Sequence, residues 1–274
     1  MRQGISQADV DAFCEEVWGF SKKGRRSMPW REDTSFYSVL VSEMMLQQTQ
    51  VERVKPKYAA FMQRFPSIEK LATAPLSEVI IHWQGLGYNR RAKYLHDSAK
   101  FVAAHGVPKT IDELIQLPGI GRNSAGAIVA YVYNQPSLFI ETNIRTVYIH
   151  RFFHDEEGVD DGQLMELLKR TIDKEHPREW YYALMDYGSY LKKIVSNNGQ
   201  SRHYKRQSRL EGSLRQMRGK IVDRLRHGTV DKKSLIDHFD NDERVHPALD
   251  GLIRDGLVVV RESRVSLTGS DNQS

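Results

Sequence analysis

The sequence predicts an almost wholly helical protein that ends in one small module of mixed helix and strand. Three observations point there. Apolar residues recur at spacings of three and four through 36–47, 58–65, 94–103, 124–133 and 164–172, the period of a helix with one buried face. Pro66, Pro75, Pro108, Pro118, Pro136 and Pro177 fall at the joints between these runs, where a missing N–H does least harm. The charge also changes character late: residues 192–226 hold 11 Lys/Arg against two acids, and residues 228–274 hold six against nine.

In chain order, the first element of chemical interest is the helix expected over 36–47. Phe36, Val39, Leu40, Leu46 and Gln47 share one face, and Glu43 falls among them. A carboxylate on an apolar stripe loses hydration, which favours its protonated form and suits a general acid. A core-edge glutamate paired to a cation is the blander reading of the same position.

Next comes the segment Thr110-Ile-Asp-Glu113 followed by Leu117-Pro118-Gly119-Ile120-Gly121-Arg122. Thr110 and Glu113 form a capping box for a short helix, and Pro118 ends it. Gly119 and Gly121 permit a tight turn, and a second helix starts near Arg122 with Ala125, Ala127, Ile128 and Ala130 on its inner side. Such a turn aims consecutive backbone N–H groups outward at a helix N-terminus, an anion site. The same residues would also serve an ordinary helical hairpin.

The basic connector places Arg202, Lys205, Arg206 and Arg209 beside His203, Tyr204 and Gln207, a mixture suited to phosphate contact or to a solvated linker. Beyond it, one helix carries Leu214, Met217, Ile221 and Leu225, a second Leu235, Ile236 and Phe239, and a third Val245, Leu249, Leu252 and Ile253. Strands are expected at 257–260 and 265–268 around a turn at Glu262-Ser263, the element order of a winged helix. Its third helix holds Asp242, Glu243, Asp250 and Asp255 against Arg244 and Arg254, a poor surface for phosphate. Packing or a protein partner is therefore favoured over base reading.

The remaining bounds are broad. The net charge of +5 over 274 residues suits a polyanionic partner without requiring one. Cys14 is the single cysteine, which excludes an internal disulfide and an iron–sulfur cluster held by four thiolates of this chain. Without an apolar run after its first charged residues or a span of roughly 18 apolar residues, the chain is expected to be soluble and cytoplasmic, nucleoid-associated in a prokaryote.

Leu117-Pro118-Gly119-Ile120-Gly121 before a small-residue helix resembles the motif of helix–hairpin–helix DNA glycosylases. Ser42-Glu43-Met44-Met45-Leu46-Gln47-Gln48-Thr49-Gln50, Met28-Pro29-Trp30-Arg31 and Trp83-Gln84-Gly85-Leu86-Gly87-Tyr88 resemble the MutY-like adenine glycosylases of that superfamily, over about 28–190. The resemblance implies an all-α two-subdomain body at 1–210, with a six-helix subdomain at about 35–140 and a second from 1–34 plus 141–210. A winged-helix-like module at 211–268 and a disordered tail at 269–274 would complete the chain.

It further implies that Glu43 protonates the departing base, that Glu141 takes the place of an aspartate that stabilises the sugar cation, and that Asn143 helps orient water. Glu141 is one methylene longer than that aspartate and also suits the N-terminal charge preference of a helix. Trp30, Arg31, Leu46, Asn123 and Tyr182 would line the base pocket, and Gln47, Gln48 and Tyr88 would contact the opposite base. Leu117, Gly119, Ile120, Gly121 and Arg122 would grip a phosphate, with a monovalent cation on the hairpin carbonyls.

This sequence differs from the bifunctional relatives at one position and departs from the MutY-like pattern in three places. Asn123 stands where bifunctional relatives have a lysine, and an amide forms no Schiff base, so no lyase activity is expected. Lys192 stands at the first cluster cysteine, leaving Arg202, Lys205, Arg206 and Arg209 to replace the cluster loop. Tyr182 occupies the position of a glutamate or glutamine that reads adenine. The winged-helix-like module replaces the family's 8-oxoguanine-recognising one.

The expected function is monofunctional excision of a mismatched base from double-stranded DNA, adenine opposite 8-oxoguanine or guanine. A thymine or uracil mismatch glycosylase and a non-catalytic DNA-binding protein on the same scaffold are the alternatives. A monomer without metal or iron–sulfur cofactor is expected, with a protein partner at the C-terminal module.

Overall fold

The structure, a computed structural model, describes residues 4–204 and 207–270. Its chain forms two compact units, Met1–Thr34 with Lys109–Ile115 and Ile120–Arg206, and Ser35–Pro108 with Gln116–Gly119 and Gln207–Ser274. Compactness thus cuts the chain elsewhere than the domains drawn from the sequence: 120–140 groups with the first unit and the C-terminal module with the second. Lys205, Arg206 and the last four residues of the expected tail lie outside the described residues.

In the first unit, α1 (Gln7–Gly24) opens on a capping box between Ser6 and Asp9 and buries Val10, Phe13 and Val17. Pro29 starts the short α2 (Pro29–Glu32), and Thr110 and Glu113 cap α8 (Ile111–Leu114) as their spacing requires. The helices α9 (Arg122–Tyr133), α10 (Thr142–Phe152), α11 (Asp161–Thr171) and α12 (Pro177–Leu191) follow. The fully buried rings of Phe13, Tyr148, Trp180 and Tyr181 form the core. Helices α10 and α12 approach until a Cβ on Gly188 would stand 2.3 Å from the Asn143 carbonyl oxygen, so no larger residue fits there.

In the second unit, α3 (Phe36–Leu46) packs against α4 (Val51–Arg64) and α7 (Arg90–His105), and α5 (Ile68–Thr73) and α6 (Leu76–Trp83) pack on α7 in turn. Every residue of α3 except Tyr37 and Leu46 is buried, so it is a central helix rather than the one-faced helix its apolar stripe suggests.

The C-terminal module comprises α13 (Leu214–Leu225), β1 (Val230–Asp231), α14 (Lys232–His238), α15 (Val245–Arg254), β2 (Val258–Arg261) and β3 (Arg264–Leu267). The expected hairpin is present, with Val258 opposite Leu267. The two-residue β1 adds a third strand in the order β1-β3-β2, too short to show a period in sequence. This winged-helix order docks on the helices of its own unit. The Gln84 amide donates to the Gly219 carbonyl at 3.1 Å, and the Ser77 hydroxyl to the Gly269 carbonyl at 3.1 Å. Arg90 and Arg218 both pair with Asp255 at the end of α15. Among the described residues no helix is long and apolar enough to cross a membrane.

Candidate functional site

In the second unit the site is built around the C-terminal end of α3. Glu43, 8% exposed, lies one turn before that end, where backbone carbonyls lose their helical partners. Arg91, 5% exposed, supplies the missing donors. Its Nη1 donates to the carbonyls of Met44, Met45 and Gln47 at 2.7, 3.0 and 2.6 Å. Its Nη2 donates to Thr49 Oγ1 at 3.0 Å and to the Leu86 and Gly87 carbonyls at 3.1 Å each. Burial lowers the pKa of this guanidinium to about 10, so it is still a cation at neutral pH, placed where a helix favours positive charge. One buried side chain thereby joins the helix of Glu43 to the Gly85–Tyr88 turn.

Gln48 and Tyr88 both adopt left-handed backbone, with φ of 53° and 47°, which costs a non-glycine residue energy. The Tyr88 hydroxyl accepts from Gln207 Nε2 and Arg215 Nη1, each at 2.5 Å. Gln47 Nε2 donates to the Gly119 carbonyl at 3.2 Å. Gly119 has φ of 78°, and a Cβ there would come 2.6 Å from the Tyr94 ring, which explains the glycine twice over. A cavity of about 420 Å³ opens here, lined among others by Gln47, Gln48, Tyr88, Arg90, Arg215 and Arg218. Of the other expected residues in this unit, Leu46 is half-buried and Leu117 fully buried.

In the first unit, Gly121 begins α9 without a side-chain cap, and Gly121, Arg122 and Asn123 are exposed, so the helix N-terminus is open to an anion. Ile120 beside it is buried. Asn123 Nδ2 donates to the Ile140 carbonyl at 3.1 Å, tying the start of α9 to the residue before Glu141.

Glu141 is the N-cap of α10, yet its carboxylate makes no capping hydrogen bond. Burial raises the pKa of that carboxyl, and the charges of Lys192 and Arg145 act against the rise. Lys192 is in turn pushed down to about 8 by burial, with Glu141 opposing the shift. Arg145 is itself held by Asp161, through bonds of 2.7 Å from Nε and Nη2. Asn143 Nδ2 lies 3.8 Å from the Met185 sulfur.

Trp30, Arg31 and Tyr182 are all buried in this unit. Arg31 donates to both oxygens of Asp186, at 2.8 and 2.9 Å, and lies 4.4 Å from the centroid of the Tyr182 ring. Tyr182 also stacks on Tyr131 at 5.0 Å. Burial by itself would raise the Asp186 pKa, but the hydrogen bonds and charge of Arg31 and the hydrogen bonds of Arg26 outweigh it and hold the carboxyl below its ordinary value. Arg31 and Tyr182 therefore work as a packed wall. Of the basic connector, Arg202 and Arg209 are exposed, and Arg202 lies 3.7 Å from Asp160.

Arg91, Arg215 and Asp186 had no signal in the sequence beyond a charge at a helical position. Lys192 was visible there only as a missing cysteine.

Comparison with known proteins identifies the family. The HhH-GPD family, described as "HhH-GPD superfamily base excision DNA repair protein", matches residues 41–174. An adenine DNA glycosylase of Mycolicibacterium smegmatis is 31% identical over 283 residues, covering 93% of this chain and 95% of that protein. An adenine DNA glycosylase of Buchnera aphidicola is 35% identical over 175 residues, covering 61% of this chain. The alignment spans 49% of that relative, so about half of its length has no counterpart here. A thermostable thymine-DNA glycosylase shares the fold, with a TM-score of 0.60 at 23% identity over 68% of this chain and 88% of its own. An endonuclease III in a trapped covalent complex with DNA does so with a TM-score of 0.58 at 17% identity over 68% and 87%.

Proposed function

The chain belongs to the HhH-GPD superfamily of base excision DNA repair proteins, in its MutY-like group, and we propose on that premise that it is a monofunctional glycosylase removing adenine from mismatches in duplex DNA. The observation that carries the reading is Glu43, buried on a helix whose end is locked by Arg91 and runs directly into Gln47 and Gln48. The relatives named adenine DNA glycosylase support the choice of adenine over thymine or uracil.

The open N-terminus of α9 holds a backbone phosphate, and the exposed Arg202 and Arg209 each add positive charge for the strand. A monovalent cation on the hairpin fits the donor set. The Pro118 and Gly119 carbonyls accept from Ser98 and Gln47, and a carbonyl oxygen with two lone pairs can face a cation as well. The adenine leaves the stack, at least cost where it is mispaired.

Glu43 gives its proton to a base nitrogen as the glycosidic C–N bond breaks and its electron pair departs with the base. Glu141, ionised, stabilises the positive charge left on the sugar, and Lys192 and Arg145 favour that ionised form. Water oriented by Asn143 adds to the sugar carbon, and its proton passes to the Glu43 carboxylate, which restores the acid. Asn123 supplies no amine, so an intact abasic site is the product.

The test is a panel of labelled duplexes, each with one mismatch, incubated with the protein and then treated with alkali. Alkali-dependent cleavage at the adenine strand alone is the expected result, with no borohydride-trapped adduct. Cleavage at thymine or uracil, or at no mismatch, would remove the adenine reading.

A further inference from the structure

The C-terminal ends of α1 and α12 meet in the first unit and carry a surface that none of the excision steps uses. The Phe20 ring lies 4.9 Å from that of Tyr187 and 5.2 Å from that of Tyr190. Arg26 fastens the residues after α1 to the same helix through Asp186, Ser189 and the Met185 carbonyl. Past the end of α12 the chain makes one further turn, in which Lys193 and Ile194 donate their N–H groups to the Tyr190 and Leu191 carbonyls at 3.0 and 2.9 Å. Tyr190, Lys193 and Ile194 therefore share one face at helical spacings of three and four.

This face is apolar at its centre and basic at its rim. Tyr190 is 46% exposed and Ile194 61%, the highest exposure of any large apolar side chain among the described residues. Lys23, three residues after Phe20 on α1, is exposed, as are Arg25 and Lys193, and none of these cations forms an ion pair among the described residues. The acid one turn before Phe20, Glu16, is bonded to the Tyr187 hydroxyl and lies 3.6 Å from Arg151. Neither Glu16 nor the Asp186 held by Arg26 and Arg31 is left to neutralise the rim. One exposed apolar residue is ordinary, but two on one face, backed by a third ring and bordered by unpaired cations, form a binding surface.

The chemistry of the face selects its occupant. Phosphates would engage the rim and leave Ile194 in water. An unpaired base stacks on a free ring, yet Phe20 already leans on Tyr190 at 40° and Ile194 has no ring to offer. An acidic segment with large apolar side chains uses both parts at once, burying those side chains on Tyr190 and Ile194 while its carboxylates meet Lys23, Arg25 and Lys193.

We propose that this face of the first unit docks a protein partner through an acidic peptide segment that carries large apolar side chains. The surface lies apart from Glu43 and Glu141 in function: it recruits a partner without taking part in bond cleavage.

The test measures fluorescence anisotropy of the protein with a labelled peptide of Asp and Glu around a central Leu-Phe pair. The same peptide with Ser-Ser at its centre, single-stranded oligothymidylate and a mismatch-free duplex are measured beside it. The Leu-Phe peptide is expected to bind more tightly than the Ser-Ser one and to weaken as salt rises. Ile194→Ser should weaken it about tenfold by removing the apolar contact. Lys193→Glu should weaken it mainly through slower association, as a rim charge does. Both variants should excise mismatched adenine as wild type does.

A Leu-Phe peptide that binds no better than its Ser-Ser form, or that binds Ile194→Ser as tightly as wild type, would overturn the assignment. So would an affinity for oligothymidylate or duplex that falls in both variants while the peptide is unaffected, since the face would then belong to nucleic acid. Loss of excision in both would likewise return the face to the glycosylase reaction. If Ile194→Ser lowers the melting temperature, Lys193→Glu, a change at an exposed side chain, decides the question.

Discussion

Glu43 lies within a helix whose residues are buried on nearly every side, whereas Glu141 stands at the first position outside a helix, with Lys192 and Arg145 acting on its charge. Glu43 is buried and Glu141 half-buried, and at Glu141 the charges of Lys192 and Arg145 oppose the rise in pKa that burial causes. The two positions suit two different tasks, because burial favours a proton donor and neighbouring positive charge favours an anion. The supports differ in kind as well. Arg91 fixes the Glu43 helix through backbone carbonyls, while α10 is fixed by its close approach to α12 at Gly188.

The largest expected effect breaks the contrast at its acid. Glu43→Gln keeps the shape and removes the proton, so single-turnover excision should fall by roughly 10²- to 10⁴-fold while duplex affinity in a gel shift changes little. Turnover near wild type would take Glu43 out of the mechanism.

Arg91→Met leaves the carbonyls at the end of α3 without their buried donor. With a cost of about 1–3 kcal/mol for each unsatisfied buried group, chemical denaturation should show a loss of about 3 kcal/mol or more. Unchanged stability would mean that water replaces the guanidinium.

Gly188→Ala forces a Cβ against the Asn143 carbonyl, a clash at 2.3 Å before relaxation. Overpacking of this kind costs about 1–3 kcal/mol, and excision should fall with it because Asn143 must move. A variant with wild-type melting and activity would show that the two helices separate freely.

The smallest effect sharpens the contrast at its anion. Burial already raises the Glu141 pKa, and Lys192→Met removes a charge that opposes this, so the pKa should rise further and the acid limb of the excision profile should move to higher pH. The difference from wild type should close as pH rises through about 8, where the wild-type amine gives up its own proton. Parallel profiles for the two proteins would separate Lys192 from the function of Glu141.

Much of this was legible in the sequence because it is written in short-range patterns. The capping box of Thr110 and Glu113, the glycine at 119 and the central helix carrying Glu43 all depend on neighbours within a few residues. The full enclosure of α3 was not, since an apolar stripe reports one face while burial on all sides depends on which helices pack around it. Nor was β1, whose two residues become a strand only by pairing with β3.

The sequence by itself determined the helical body, the hairpin, the two glutamates and the order of elements in the C-terminal module, because local propensity and hydrophobic period act along the chain. Only the tertiary structure decided that Arg91 would bind the end of α3, that Lys192 would act on Glu141, and that α13 would turn Arg215 toward Tyr88. Those pairings join residues about 40 to 130 positions apart, and a cation's partner at such separation is set by packing, which no local pattern encodes.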